Sequence, residues 1–272
     1  MRRTHFLMDG LRACAAAFQF LTRLPIPVQI EYTERVFQRS AIFYPLVGFV
    51  IGLLLMVAGA GLSYVLPTMP AAVLLLAIWV ILTGGLHLDG LMDTADGILS
   101  HRPREQMLEI MKDSRVGAMG VIVCVLHLLL KFSLLYTLLD TYQTGDRGSL
   151  LLLLAIVPIW SRWFMVAAIR IWSYARPNSG LGSLFRGVNS KHVTISLLVA
   201  LLTTTLCICT ANPTSLPSWS IVLGFMTITT LVGSGIAAYI SSKLGGLTGD
   251  TYGALNELLE SVLLLAVIII VL

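Results

Sequence analysis

Charge is scarce in this sequence. Only 12% of its 272 residues are Asp, Glu, Lys or Arg, about half the roughly 25% found in soluble domains. That leaves too little polar surface to solvate a globular body, which excludes a soluble domain. Cysteine is scarce too. Cys14, Cys124, Cys207 and Cys209 lack metal-ligand spacing with histidine, and three lie in apolar runs, which argues against zinc and against a disulfide framework. No basic stripe exists either: the net charge of +4 is spread over loops, so nucleic acid is not an expected partner. A cleavable signal peptide is not expected, because Asp9, Arg12 and Arg23 interrupt the first apolar stretch and no clear cleavage site follows.

Apolar residues fill the space that charge leaves, at 57% of the chain. A bilayer core needs roughly 20 apolar residues in a helix, and seven runs qualify: 42–66, 71–88, 116–139, 150–171, 193–211, 219–240 and 255–272. They must be helical, since lipid offers the backbone no hydrogen-bond partners. The stretch 5–24 is apolar but broken by charge and stopped by Pro25 and Pro27. It reads as an interfacial helix, with a full span as the alternative. The expected fold is therefore all-α: a polytopic transmembrane bundle of about seven spans plus an N-terminal interfacial helix. It forms one integral membrane domain over 1–272, with 1–40 an N-terminal cytoplasmic or interfacial segment and 89–115 and 173–192 cytoplasmic loops. The first of these loops holds a short helix opened by Pro103 that presents Met107, Leu108 and Met111 on one face, expected to lie on the membrane surface.

Orientation follows from the basic residues. With seven spans, fifteen Lys and Arg fall on one side, among them Arg23, Arg39, Arg104, Lys112, Arg176 and Lys243, and Arg147 stands alone on the other. The N-terminus is expected in the cytoplasm of a cell membrane and the C-terminus outside.

The acidic residues carry the chemistry. Asp89, Asp93 and Asp96 are spaced i, i+4, i+7, which puts them on one helix face. Three carboxylates on one face repel unless a cation neutralises them, and hard oxygen ligands select Mg²⁺ or Mn²⁺. A solvated helix N-terminus that favours negative charge would explain one or two of them, not three at a membrane border. Next, Lys112, Ser114, Arg115 and the free amides of the following helix start can together hold a phosphate; alone, they would read as a basic pair anchoring a helix in headgroups. A third stretch, Gly245-Gly246-Leu247-Thr248-Gly249-Asp250, has the glycine density of backbone that approaches a ligand closely, and leads to Asn256, Glu257 and Glu260. It matches Gly84-Gly85-Leu86 and Asp89 in spacing, suggesting two similar walls of one acidic site. Lys131 and Arg162 sit within apolar spans, where a charge costs at least ~2.5 kcal/mol, so both should face inward, toward aspartates or an anionic substrate. His87 borders the aspartates as a ligand, a base or a hydrogen-bonded neighbour, while His127 reads as a histidine satisfied within the bundle.

The combination His87-Leu88-Asp89-Gly90-Leu91-x-Asp93-Thr94-x-Asp96-Gly97, Lys112-Asp113-Ser114-Arg115-x-Gly117 and Gly245-Gly246-x-Thr248-Gly249-Asp250-Thr251 resembles the cobalamin synthase family. Phe20-Leu21-Thr22-Arg23-Leu24-Pro25 and Tyr174-Ala175-Arg176 fit it as well. The resemblance implies a transferase that joins adenosylcobinamide-GDP to α-ribazole, or to its 5′-phosphate, and releases GMP, with Mg²⁺ as cofactor. On that reading Asp89, Asp93, Asp96 and Asp250 hold metal and act in catalysis with His87, and Lys112, Ser114, Arg115, Arg162, Arg176 and Thr248 contact substrate. The partners are the two substrates and the lipid bilayer, with homo-oligomerisation left open. The competing class is a transporter of a divalent cation or phosphorylated solute. The clustering of acidic motifs at one face counts against it, since transporter sites lie near the midplane.

Overall fold

A computed structural model describes residues 2–145, 150–176, 184–211 and 217–271, with side chains at 8–145, 150–176, 184–209 and 217–270. Eleven α-helices account for most of them: α1 (Arg2–Leu21), α2 (Glu34–Ser40), α3 (Tyr44–Val65), α4 (Thr68–Thr83), α5 (Leu86–Leu99), α6 (Arg104–Ile110), α7 (Ala118–Thr144), α8 (Leu152–Ile171), α9 (Ser190–Ala211), α10 (Ser218–Leu244) and α11 (Gly249–Val271). A 3-10 turn, Ala41–Phe43, joins α2 to α3. No strand occurs among the described residues, and a single bridge pairs Tyr174 with Leu247.

Six helical segments are long and apolar enough to cross a membrane, or seven if α4 and α5 together make one broken span. Their outward faces carry exposed apolar side chains such as Leu126, Leu202, Leu231 and Ile269, the pattern of a bundle that meets lipid rather than water. α8 is the exception and forms the centre. Its side chains from Leu153 to Ala168 are all buried. α3 closes onto it at Gly48 and Gly52, where a Cβ would collide with the carbonyls of Pro158 and Ala155. Small residues at a helix crossing let backbones approach closely and gain dispersion energy.

One expected boundary is wrong. The apolar run 71–88 does not form a single helix: α4 ends at Thr83, and α5 leaves at 89°. Gly84 and Gly85 make this corner with φ of 64° and 69°, a left-handed pair that other residues adopt only with strain. Hydropathy runs on through Leu86 and Leu88, so it hid the corner. The segments long and apolar enough to span are thus α3 and α7 to α11, with the bent pair α4 and α5 as the seventh. The short helix after Pro103 is present as α6, but Met107 and Met111 are buried, with Met111 packed against Gly97 of α5. Its apolar face is turned to protein.

Polar contacts tie helix ends together at both ends of the bundle. Arg104 Nε donates to the Leu244 carbonyl at 2.7 Å, closing α10 with a cation as the helix dipole favours. The strand-like segment at Tyr174 exchanges backbone bonds with Leu247, from Ala175 N to Leu247 O at 2.7 Å and from Leu247 N to Ser173 O at 2.8 Å. At the other end Gln143 Nε2 donates to the carbonyls of Ser63 and Leu66. Arg147, the lone basic residue expected outside, falls beyond the described residues.

Candidate active site

Two helices start in similar ways and meet. α5 follows the glycine corner at 84–85. α11 follows Gly245 and Gly246, with φ of 70° and 149°, and a reciprocal cap in which Thr248 N donates to Thr251 Oγ1 at 2.8 Å and Thr251 N to Thr248 Oγ1 at 3.3 Å. The helices cross where each has a glycine. A Cβ on Gly90 would lie 2.5 Å from the Asp250 carbonyl oxygen, and one on Gly253 3.2 Å from His87 Cα. This contact brings Asp89 and Asp250 into one cavity of about 190 Å³, whose walls also include His87, Arg176, Tyr44, Phe185 and Tyr252. The two stretches whose glycine pairs match in spacing do line one cavity.

Each candidate residue has a definite place. Asp250 Oδ2 accepts from Arg176 Nη1 at 3.2 Å and from Thr248 Oγ1 at 3.3 Å. Arg176 also donates to the Leu108 carbonyl at 3.1 Å, so the guanidinium is braced over the cavity. Thr248 is fully buried as the cap of α11. On α5, Asp89, Asp93 and Asp96 follow one another along a face. Burial, then the charges of Asp89, Asp250 and Asp96, push the Asp93 carboxyl up to about 7. That shift marks negative charge left uncompensated among the described residues. Asp96 is differently employed. Its two oxygens accept from the amides of Gly117 at 2.8 Å and Gly120 at 2.7 Å, capping α7. The free amides expected to hold a phosphate beside Lys112 and Arg115 are therefore occupied, in part, by a carboxylate of the chain itself.

Lys112, Ser114 and Arg115 are exposed, outside the cavity wall. Arg115 forks Asp113, with Nη2 to Oδ2 at 2.6 Å, and these hydrogen bonds hold the Asp113 carboxyl down at about 2. Arg162 is fully buried and pairs with Glu260, not with an aspartate. Lys131 joins it, reaching Glu257 at 2.9 Å and Glu260 at 2.5 Å, and packs over Trp79 with Nζ 4.1 Å from the ring centre. His127 meets Glu257 at 2.9 Å, a histidine satisfied within the bundle as expected. Asn256 Nδ2 links the group to His87 Nδ1 at 3.0 Å and to Glu260 Oε1 at 3.3 Å. With its amide given to Glu260, Asn256 donates to Nδ1, which places the His87 proton on Nε2.

Sequence reasoning missed most of the aromatic wall. Tyr44, Phe185 and Tyr252 stand in ordinary apolar surroundings, and only Phe20 and Tyr174, within motifs, carried a signal.

For Mg²⁺ the donors have the right chemistry and an incomplete arrangement. Carboxylate oxygens with uncompensated charge suit a hard cation, and Mg²⁺ commonly takes one or two carboxylates, waters and substrate phosphates. Among the described residues, however, no group of three or more His, Cys, Asp or Glu is placed to hold a metal. The residues fit a cation shared with a phosphate ligand, not a closed cage of all four aspartates.

The long apolar helices and this arrangement fit a multi-pass membrane protein with an acidic, arginine-braced cavity at one end of its bundle. The chain belongs to the cobalamin-5-phosphate synthase family, whose model matches residues 13–268. Among curated relatives, adenosylcobinamide-GDP ribazoletransferases of Desulfitobacterium hafniense and Brevibacillus brevis are 40% and 38% identical to it, over 95% of this chain and 97% and 98% of theirs. The enzyme of that name from Thermoanaerobacter pseudethanolicus is 34% identical over 93% of this chain and 95% of its own length. No solved structure matches. The family read from the three motifs is thus the right one.

Proposed function

We propose that this protein is a Mg²⁺-dependent adenosylcobinamide-GDP ribazoletransferase of the cell membrane, with its N-terminus and acidic cavity on the cytoplasmic side. A hydroxyl oxygen of α-ribazole, or of its 5′-phosphate, attacks the phosphorus bonded to the cobinamide arm. A new P–O bond forms, the bond to the bridging oxygen of the diphosphate breaks, and GMP leaves. Such transfer is mostly positioning and charge neutralisation. The carrying observation is the cavity that joins Asp89, Asp250 and Arg176.

Asp89 and Asp93 would hold the cation together with substrate phosphate oxygens. A cation held there would supply charge neutralisation for the diphosphate and for the leaving GMP. Arg176, braced by Asp250 and the Leu108 carbonyl, orients a phosphate oxygen by a charge-assisted bond. Among the described residues, the side-chain hydrogen bonds to Asp250 end on Oδ2, which leaves Oδ1 to take the proton of the attacking hydroxyl. The aromatic wall excludes water, the competing acceptor.

The test is GMP release by purified protein in liposomes from adenosylcobinamide-GDP, with and without α-ribazole and with and without Mg²⁺. Acceptor-dependent, Mg²⁺-dependent release is expected. Uptake of solute with no acceptor-dependent GMP would defeat the reading.

A further inference from the structure

Next to the acidic cavity lies a larger one, of about 540 Å³, between α1, α2 and the corner that ends α4. Phe20 and Leu86 line both, so the two are neighbours across a shared wall. Its inner surface is aromatic: Phe20, Tyr32 and Phe37 all line it. Phe20 and Phe37 meet edge to face at 5.8 Å between ring centres, and Tyr32 and Phe37 at 5.4 Å. These rings are held in place, as Tyr32 Oη donates to Gln19 Oε1 at 2.6 Å, and Gln19 Nε2 donates to the carbonyls of Ile26 and Val28. At the rim is Arg23. Its stem packs against Gly84, where no Cβ fits, and its backbone N–H donates to Leu82 O at 2.8 Å. Its exposed guanidinium has no ion pair or hydrogen bond among the described residues. Arg176, which lines the acidic cavity, is by contrast committed to Asp250 and the Leu108 carbonyl.

A rigid aromatic pocket with one uncommitted guanidinium at its edge is suited to a planar aromatic base that carries an anionic group. We propose that this cavity binds the nucleoside acceptor, with the aromatic base against Phe20, Tyr32 and Phe37 and the 5′-phosphate on Arg23. This rests on the ribazole-transfer reading and assigns its acceptor subsite. Geometry supports the pairing of cavities. Leu86 borders both, and Asp89 lies three residues on along the same face of α5, so a sugar between base and hydroxyl would pass over the shared wall toward the carboxylates. Arg23 would then set the preference for the phosphorylated acceptor over the bare nucleoside.

Steady-state kinetics with both acceptors test this, using Arg23→Gln, Arg23→Lys and Leu184→Trp, the last adding bulk at the wall of the larger cavity. Losing a charged hydrogen bond should raise the KM for α-ribazole 5′-phosphate about ten- to a hundredfold in Arg23→Gln. The KM values for α-ribazole and adenosylcobinamide-GDP should stay near wild type, and Arg23→Lys should recover part of the preference. Leu184→Trp should raise KM for both acceptors and leave that of the donor. If Arg23→Gln fails to fold, Arg23→Lys and Leu184→Trp decide the matter by the same acceptor-against-donor comparison. Equal changes for both acceptors in the Arg23 variants, or a change confined to the donor, would overturn the subsite while wild-type GMP release kept the ribazole-transfer reading intact. Absence of GMP release by the wild type would remove that reading, and the subsite with it.

Discussion

Neutralising Arg162 and Glu260 together should cost the bundle well short of the sum of neutralising each alone. Four charges are buried together where α7, α8 and α11 meet: Lys131 and Arg162 against Glu257 and Glu260. They balance, and each is at least nearly out of contact with solvent. Breaking a buried pair from one side typically costs about 3–5 kcal/mol, because the remaining charge stays desolvated. Arg162→Leu leaves Glu260 with Lys131 at 2.5 Å and Asn256 at 3.3 Å, so its cost should fall at the low end, about 3 kcal/mol. Glu260→Gln leaves Arg162 with only the Ser161 hydroxyl at 3.1 Å and the Pro158 carbonyl at 3.4 Å besides an amide. Its Nε and Nη2 already lack partners, and the cost should approach ~5 kcal/mol. The double variant removes one charge of each sign and keeps Lys131 with Glu257, so the two losses should fall short of their sum by at least ~2 kcal/mol. Reversible unfolding in mixed detergent micelles measures all three. Additivity within ~0.5 kcal/mol would refute the shared-charge argument.

Three further outcomes are expected. Asp89→Asn should lower turnover by two orders of magnitude or more and shift its Mg²⁺ dependence, whereas Asp96→Asn, at the cap of α7, should cost ~1–2 kcal/mol of stability and less turnover; equal kinetic losses would restore Asp96 to the metal site. The raised Asp93 pKa means that the folded state holds this proton more tightly than the unfolded chain, so its stabilising contribution is present below about 4 and lost as pH rises through about 7. Asp93→Asn should therefore gain stability relative to wild type across that window in metal-free buffer, as read by unfolding midpoints at each pH. Single cysteines at 113 and 143 in a cysteine-free background should react with impermeant thiol reagents from opposite sides, 113 from the cytoplasm, and labelling of both from one side would overturn the topology.

The sequence made the helical class and the inward turn of Lys131 and Arg162 legible, because both follow from solvation alone. An apolar run of this length has nowhere to go but lipid, and a charge within it must find a partner. Which partner was another matter. Glu257 and Glu260 lie more than ninety residues from their cations, and only the packing of α11 against α7 and α8 selects them over the nearer aspartates. The shared face of Asp89, Asp93 and Asp96 could be read from spacing, but the engagement of Asp96 could not. The amides it caps belong to Gly117 and Gly120, across a loop and a separate short helix. The missing side chains there leave room for the carboxylate, since a Cβ at either glycine would meet it. The corner at Gly84 was hidden for the opposite reason: backbone conformation broke a helix where hydropathy continued.

Why the site lies at the bundle end, and not at its middle, follows from the same glycines. A helix that stops and restarts exposes backbone groups, and within hydrocarbon each unsatisfied group costs several kcal/mol. Such corners are therefore confined to the ends, where polar partners are at hand. Two such corners lie there among the described residues, each with an arginine side chain beside its glycine: Arg23 against Gly84 and Arg104 against Gly245. No larger residue could sit at either position without displacing the guanidinium as well as straining the backbone. The corner, the arginine beside it and the helix carrying an aspartate thus form a unit that occurs twice. The close crossing at Gly90 and Gly253 fixes how the two units face each other. Acidic side chains that would be expensive anywhere else in the bundle are thereby gathered where solvent, amides and guanidinium groups can stabilise them. On the proposed function, the resulting excess of negative charge around Asp93 is what a cation would neutralise.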